Sequence, residues 1–289
     1  MEKGSRSQRR GSKPSIPAGL GTAKTTVRLF VFGLGYSAQV LAARLRGDGW
    51  TVEGTGRGGD VDFGDAEAVH AALHRATHLL SSAPPDRASA DPVLGQYGAA
   101  ITGCGAQWIG YLSSTGVYGD TQGAWVDETA AVGGGRRSAR AEADLAWQAL
   151  DSRVRVFRLP GIYGPGRSAL DRVAQGSAHR VDLPGQVFSR VHVDDIAAGI
   201  VAGMAGPAGV YNLADDEPCG QNAVIEEAAR ILGMIPPPLV SMEQAGLSPA
   251  ARAFYAENRR IANGKARRVL GWRPRYPTYR EGLRSLLPG

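Results

Sequence analysis

The 289-residue sequence predicts an α/β fold in which a doubly wound parallel sheet is joined to a smaller, irregular C-terminal lobe. Two observations carry this prediction. Short apolar runs alternate with segments whose apolar residues recur at helical spacing, as in strand–helix–strand units of parallel sheets. The first run, 27–32, is largely apolar, which is typical of a strand buried on both faces.

The alternation continues to about Gly164 and then breaks down. Beyond it, Pro, Gly and polar stretches mix with isolated elements. The predicted elements are strand 27–32, helix 38–45, strand 51–55, helix 66–73, strands 78–82 and 108–113, helix 139–150, strand 154–159, helix 193–204, strand 209–213 and helix 221–232.

The composition argues against a membrane or a specific nucleic acid as a partner. No apolar stretch approaches the roughly 18 residues that a membrane span needs, so we expect a soluble protein with no membrane partner. Most of the net charge of +6 lies in residues 1–24, which we predict to be a disordered basic tail. A tail of this kind contacts nucleic acid or is simply solvated. Because the rest of the chain is nearly neutral, we expect no specific nucleic-acid partner.

The cysteines and histidines predict no metal site. Cys104 and Cys219 are the only cysteines, and neither forms a ligand motif with the five histidines. This usage fits a reducing compartment, so we expect a cytoplasmic protein. Arg9-Arg10 lacks the apolar segment of a twin-arginine signal, whereas an organellar transit peptide stays open as an alternative.

The turn between the first strand and first helix carries the strongest motif, a GxGxxA. Gly33 permits the tight turn, Gly35 lets the backbone approach a pyrophosphate, and Ala38 allows close packing of the helix. Backbone N–H groups of Tyr36, Ser37 and Ala38 open the helix, where they attract an anion. The motif therefore predicts a Rossmann-type site for NADP or NAD.

The cofactor preference depends on the end of the second strand. Arg57 stands where an NAD-binding protein places a carboxylate, so a 2′-phosphate partner and NADP are preferred. The alternative is that Arg57 points into solvent near Asp60 and Asp62. We divide the chain into a tail (1–24), a dinucleotide-binding domain (25–178) and a substrate-side lobe (179–289), from which a strand and helix return to the sheet.

Five segments between residues 27 and 287 are similar, in order and spacing, to landmarks of the extended short-chain dehydrogenases/reductases. They are the Asp-Phe-Gly-Asp at 62–65, the Ser-Ser-Thr-Gly-Val-Tyr-Gly at 113–119, the Arg-Leu-Pro-Gly-Ile-Tyr-Gly-Pro-Gly at 158–166, the Val-His-Val-Asp-Asp at 191–195 and the Tyr-Asn-Leu-Ala-Asp at 211–215.

The resemblance implies a set of site residues. Ser114 takes the position of the catalytic hydroxyl that contacts a substrate oxygen, with a strand-end cap as the alternative role. The other implied positions are Asp62 and Phe63 at the adenine, Ser82 and Ala83 under the ribose, and Gly161 and Ile162 over the nicotinamide.

The sequence departs from the family at its catalytic pair. Arg136 and Arg140 align with the Tyr and Lys of Tyr-x-x-x-Lys, and Asp144 with the acid that follows. Arg140 can supply charge and ribose contacts, but Arg136 cannot act as a general acid or base because a guanidinium stays protonated. Tyr118 or Tyr163 is the alternative proton donor.

A second departure concerns the substrate. Phe188 occupies the position of an Arg that grips the diphosphate in nucleotide-sugar enzymes, and Arg190 lies two residues later. An intact nucleotide-sugar site is therefore not expected, although a small polar, sugar-derived substrate stays open. We interpret Asp194 and Asp195 as caps of the following helix.

Two functions follow from these features. The first is an NADP-dependent oxidoreductase or epimerase-like enzyme acting on a small molecule, supported by the GxGxxA and Ser114. The alternative is a non-catalytic NADP-binding sensor or scaffold, supported by Arg136 and Arg140. A homodimer is common in the family, but no exposed apolar stripe predicts one here.

Overall fold

The structure is a computed structural model that describes residues 27–86, 91–134 and 138–287. The tail predicted for 1–24 and the residue aligned with the catalytic Tyr, Arg136, lie outside the described residues. The strands are β1 (Arg28–Phe32), β2 (Thr51–Gly54), β3 (His78–Ser81), β4 (Trp108–Ser114), β5 (Trp125–Val126), β6 (Val154–Leu159), β7 (Gly161–Tyr163), β8 (Arg180–Val181), β9 (Arg190–His192), β10 (Gly209–Asn212), β11 (Leu239–Val240) and β12 (Arg260–Ile261).

The helices surround these strands. They are α1 (Tyr36–Gly47), α2 (Ala66–Arg75), α3 (Pro92–Gly103), α4 (Ser138–Leu150), α5 (Ala169–Ala174), α6 (Val193–Ala205), α7 (Gln221–Leu232), α8 (Pro249–Phe254), α9 (Gly264–Val269) and α10 (Tyr279–Arg284), with a 3₁₀ turn at Thr115–Tyr118.

Six strands form one parallel sheet in the order β10-β6-β4-β3-β1-β2. This confirms the predicted α/β class, and the predicted strands and helices of this sheet end within about two residues of those observed. The chain leaves β1 for β2 on one side and then crosses to β3 on the other. A crevice therefore opens between the carboxyl ends of β1 and β3, where ligands bind in open α/β sheets.

Both faces of the sheet are covered. Along β1, Leu29 and Val31 enter the core under α1 and α6, whereas Phe30 and Phe32 enter the core under α2, α3 and α4. Side chains alternate between the faces of a strand, so an apolar run of this kind has to be packed from both sides. The pattern that predicted a doubly wound sheet is thus explained by two separate cores.

Helix α3 is an element that the sequence analysis did not predict. It begins at Pro92, and the Asp91 side chain accepts hydrogen bonds from the N–H groups of Val93 and Leu94. An N-cap followed by Pro is a helix-start signal. Gly95 and Gly98 weaken the pattern inside the helix, and burial of Val93, Tyr97 and Ile101 compensates for their low helix propensity.

The C-terminal part combines a return to the sheet with small, irregular pieces. Strand β10 pairs with β6 at the edge of the sheet, and α9 contacts β10. Two-residue strands pair β8 with β11 and β5 with β12. A third apolar cluster joins α5, α7 and α10. These short elements bring residues distant in sequence to the carboxyl edge of the sheet.

The interpretation of Asp194 and Asp195 as helix caps is wrong. The N-cap of α6 is His192, whose Nδ1 accepts a hydrogen bond from the Asp194 N–H at 3.2 Å. Asp195 is buried, and its carboxylate accepts from the backbone N–H groups of Arg275 at 2.6 Å and Tyr276 at 3.2 Å. Asp195 therefore holds the C-terminal segment against α6, a contact between residues 80 positions apart.

Within the described ranges, no helix is both long enough and apolar enough to cross a membrane.

Candidate functional site

The turn after β1 lies at the crevice between β1 and β3. Gly33 has φ +85°, and a Cβ at this position would lie 3.0 Å from the backbone nitrogen of Ala83, just beyond β3. Both facts require glycine. The Thr55 hydroxyl accepts from the Gly33 N–H at 3.1 Å, and the Thr55 carbonyl accepts from the Leu34 N–H at 2.7 Å. Backbone from three strand ends is therefore in close contact here.

Gly35 serves a different purpose. Its φ of −88° is open to any residue, and a Cβ there would meet only the Gly33 carbonyl oxygen, at 4.0 Å. It is the N-cap of α1, and no side chain caps the N–H groups that follow it. An added side chain at Gly35 would project into open space beside an uncapped helix N-terminus. That arrangement fits a pyrophosphate, which is held by backbone N–H groups approached at close range.

A large cavity of about 640 Å³ opens at the carboxyl edge of the sheet. It contains six of the predicted site residues: Ser37, Ser82, Ser114, Arg140, Gly161 and Ile162. Their side chains and backbone come from α1, the end of β3, β4, α4 and β7. The structure thus gathers residues more than 120 positions apart in sequence around one volume, of the size of small-molecule sites in general.

The residues predicted to contact the adenosine are not among those that line this cavity. Arg57 is exposed and forms no ion pair with any described residue, so its guanidinium is available to a ligand. The Asp60 carboxylate is turned back and accepts from the Gly54 N–H at 2.9 Å. Asp62 accepts from the Gly64 N–H, while the Phe63 ring packs against Phe32.

Ser114 has the capping role that the sequence analysis gave as the alternative, and it also lines the large cavity. Its hydroxyl oxygen accepts a hydrogen bond from the Gly116 N–H at 3.1 Å and so caps the 3₁₀ turn. Because the oxygen is the acceptor in this contact, the hydroxyl proton stays free to be donated to a ligand in the cavity.

Arg140 projects toward the large cavity from α4. It lies near the Tyr111 hydroxyl: burial raises the pKa of Tyr111, and the positive charge of Arg140 acts in the opposite direction. Tyr111 is fully buried and stacks on Trp147 at 5.1 Å between ring centroids, so it is not exposed to a ligand. Arg140 is thus a fixed positive charge at the wall of the cavity.

Neither alternative tyrosine lies at the large cavity. The Tyr118 hydroxyl accepts from Arg158 at 2.9 Å and donates to Asn212 at 2.8 Å, and burial raises its pKa. Tyr163 lies in the wall of a different cavity, and burial raises its pKa strongly. Among the described tyrosines, none forms a hydrogen bond with Ser114, so the structure does not support either as a replacement proton donor.

A buried network supports the floor of the large cavity. Asp144 of α4 is fully buried and accepts from Arg158 of β6 in a bidentate pair, at 2.7 Å and 3.1 Å. The Ser113 hydroxyl donates to the same carboxylate at 2.5 Å. Through Tyr118 the network continues to Asn212 of β10. It joins α4, β4, β6 and β10, and two of its members, Ser113 and Asp144, lie one residue from Ser114 and one helical turn from Arg140.

A second cavity of about 470 Å³ adjoins the first. Phe188 and Phe254 border both cavities, and their rings stack at 4.5 Å. Phe188, which replaces the family's diphosphate-binding Arg, is thus part of an aromatic wall. The sequence analysis did not predict the other residues that matter here, which are Arg167, Arg172, Gln221 and Phe254. No motif marks them, since they come from separate short elements.

The described residues contain no group of three or more His, Cys, Asp or Glu side chains that could hold a metal ion.

Comparison with known proteins found solved structures and curated sequences that are similar to this chain. No protein-family model matches it. The solved structure of a functionally unknown conserved protein from Silicibacter pomeroyi DSS is 42% identical, covers 90% of this chain and 98% of its own, and superposes with a TM-score of 0.81. The chain belongs to the family of that protein.

More distant likenesses describe the fold. The human epimerase family protein SDR39U1, solved with NADPH, is 17% identical, with coverage of 90% of this chain and 99% of its own and a TM-score of 0.71. The chain therefore has the fold of the extended short-chain dehydrogenases/reductases. A 3-diazoavenalumate denitrifying reductase from Streptomyces sp is 34% identical over 140 residues, 44% of this chain and 45% of that protein. The chain thus spans less than half the length of this curated relative.

Removal of one partner of the buried ion pair should destabilise the protein. We expect Asp144→Ala to lower the free energy of unfolding by about 3–5 kcal/mol, because Arg158 is left charged and unpaired in the core. Chemical denaturation measures the free energy of unfolding of the variant and of the unmodified chain. As a control, Glu53→Ala, which breaks partly exposed ion pairs with Arg28 and Arg75, should cost no more than about 1 kcal/mol.

The double variant Asp144→Leu with Arg158→Met should recover most of that loss, since a buried ion pair replaced by apolar residues of similar size is often neutral. A double variant as unstable as Asp144→Ala would show that charge imbalance is not the cause.

Proposed function

We propose that the chain is an NADP(H)-dependent reductase of a small polar molecule, with NAD(H) as the weaker cofactor. One observation carries the proposal: an uncapped helix N-terminus with Gly35 at its mouth opens, at the crevice between β1 and β3, beside a cavity of about 640 Å³. The NADPH bound to human SDR39U1 and the reductase activity in the name of the Streptomyces relative support it.

The chain's own residues divide the work of binding. The N–H groups of Tyr36, Ser37 and Ala38 would hold the pyrophosphate, and Arg57 the 2′-phosphate. Asp62 and Phe63 lie on the adenine side, Ser82 and Ala83 beside the riboses, and Gly161 and Ile162 opposite the nicotinamide. When bound, the reduced cofactor supplies a hydride.

Two side chains would act on the substrate. Ser114 donates its free hydroxyl proton in a hydrogen bond to a substrate oxygen, and Arg140 stabilises negative charge that develops there. Neither is a general acid near neutral pH. We therefore propose a reaction in which the proton that follows hydride transfer comes from solvent, so that no Tyr is needed.

The competing function is a sensor that binds NADPH without turnover. What favours it is that the described tyrosines make no hydrogen bond with Ser114, while an Arg at 140 aligns with the family's Lys. The two functions share the same cofactor site and differ only in what happens at Ser114.

The cofactor site can be tested at Gly35. We expect Gly35→Val to weaken NADPH binding by at least about tenfold, because its side chain enters the space meant for the pyrophosphate. The variant should fold, since the φ of Gly35 is ordinary. Isothermal titration calorimetry measures the affinity. In the control Gly47→Ala, the new methyl meets no atom within 4 Å and binding should not change.

Equal NADPH affinity in the two variants would contradict the assignment of this turn as the pyrophosphate site. An unmodified chain that binds neither dinucleotide at millimolar concentration would remove the proposed function altogether.

The cofactor preference can be tested separately. We expect Arg57→Ala to weaken NADPH binding by about tenfold or more, through loss of a charge-assisted contact with the 2′-phosphate, and to leave NADH binding nearly unchanged. The control is Arg44→Ala, which removes an exposed positive charge from helix α1 instead. Equal losses for NADPH and NADH would leave NADP preference without support.

Turnover separates the reductase from the sensor. With aldehydes, ketones and organic acids that carry an aldehyde or ketone group as substrates, we expect NADPH oxidation at the nicotinamide absorbance, reduced by about 10²-fold or more in Ser114→Ala. NADPH binding should survive in the variant. Tight NADPH binding without turnover of any substrate would favour the sensor.

A further inference from the structure

The second cavity carries more positive charge than its surroundings neutralise. Arg167, Arg172 and Arg190 line it, against one acid, Asp171. The Asp171 carboxylate is already engaged, because it accepts from the N–H and the hydroxyl of Ser168 in a capping box, at 2.8 Å and 2.6 Å. The cavity therefore contains an excess of cationic hydrogen-bond donors.

Arg190 is the most unusual of the three, because it is only 7% exposed and forms no ion pair with any residue that the structure describes. Its guanidinium donates to neutral acceptors, which are the Phe188 and Cys219 carbonyls, the Cys219 sulfur and the Gln221 side-chain oxygen at 3.2 Å. Asp215 forms no ion pair with Arg190, and burial raises the pKa of the Asp215 carboxyl to about 8. No described carboxylate is therefore in direct contact with the Arg190 guanidinium.

Two further donors face the same space. Arg172 is exposed and lines the cavity, and its guanidinium makes no hydrogen bond or ion pair with any described residue. The Gln221 side-chain nitrogen is buried without a hydrogen-bond partner, while its oxygen is held by Arg190. The buried Gln221 nitrogen costs free energy while it is unpaired, and an anion with several acceptor oxygens would satisfy it together with the exposed Arg172 guanidinium.

The remaining wall is apolar and leads toward the large cavity. Ile162, Val224 and Leu283 line the second cavity, and the stacked pair Phe188–Phe254 borders both. A ligand with an anionic head at Arg172 and Arg190 would therefore lay an apolar body along these side chains, in the direction of Ser114.

We infer that the second cavity binds the substrate through an anionic oxygen group, a carboxylate or a phosphate, held by Arg172, Arg190 and Gln221, with an apolar body against Phe188 and Phe254. This rests on the proposed function, which makes the adjoining large cavity the cofactor site. The substrate class is then a small organic acid or a phosphate ester with an apolar body.

The first test uses matched probes without any nucleotide. Calorimetric titration of the full chain with 3-phenylpropanoate, phenyl phosphate and neutral 3-phenylpropanamide compares head groups on similar bodies. We expect at least one anion to bind about tenfold or more tightly than the amide. A tighter propanoate indicates a carboxylate substrate, and a tighter phosphate indicates a phosphate ester. An amide that binds as well as both anions would overturn the inference.

Variants then locate the site. Arg172→Gln should weaken binding of the preferred anion by about tenfold or more. The control is Arg268→Gln, which should have no effect because Arg268 is exposed and lines neither cavity. Gln221→Glu would place a carboxylate within reach of Arg190 and neutralise it internally. We expect this variant to lose anion binding and to gain thermal stability. Equal anion affinities in Arg172→Gln and Arg268→Gln would overturn the inference.

NADPH titration of the same variants separates the two proposals. Arg172, Gln221 and Arg268 do not contact the turn after β1. The NADPH affinity of all three variants should therefore equal that of the unmodified chain. An unmodified chain that binds NADPH but prefers neither anion to the amide would overturn only the anion site. Anion binding without NADPH binding would leave the anion site standing and remove the proposed function.

Discussion

The bidentate pair between Asp144 and Arg158 is the interaction on which the candidate site depends. It joins a helix on one face of the sheet to the end of β6 and, through Tyr118 and Asn212, to the edge strand β10. Ser113, also bound to Asp144, immediately precedes Ser114. Because a buried pair is costly to break but not costly to replace by apolar residues, its benefit here is geometric. It fixes the end of β4, and with it the hydroxyl of Ser114.

The crevice between β1 and β3 depends on a second constraint, close approach of backbone to backbone. Gly33 meets the backbone of Ala83 and accepts no side chain, whereas Gly35 points into open space. Two glycines of one motif thus serve distinct purposes, one for packing and one for access. Arg140 and Ser114 lie on the other side of the same opening. The fold therefore brings an uncapped helix N-terminus and the polar side chains of Ser114 and Arg140 to one opening.

Much of the fold could be predicted because its signals are local. The run at β1 and the glycines after it lie within one stretch of sequence, and the observed strand and helix follow the prediction closely. Helix α3 was missed because Gly95 and Gly98 obscure its pattern, although Asp91 and Pro92 mark its start. The N-cap of α6 is His192, a residue type with low N-cap preference. Because Asp is a preferred N-cap residue, the sequence favoured Asp194 and Asp195 instead. The second cavity could not be predicted, because Arg172, Arg190 and Gln221 meet only through tertiary contacts among short elements.

The division between the two cavities has a consequence for how substrate range can diverge among relatives. Two stacked rings, Phe188 and Phe254, are among the side chains that border both cavities, and Phe254 lies on the six-residue helix α8 near the protein surface. A partition made of side chains can be removed by a single codon change without disturbing the sheet. A homologue with a small residue at either position would have a wider connection between the two cavities, while the turn after β1 stayed as it is.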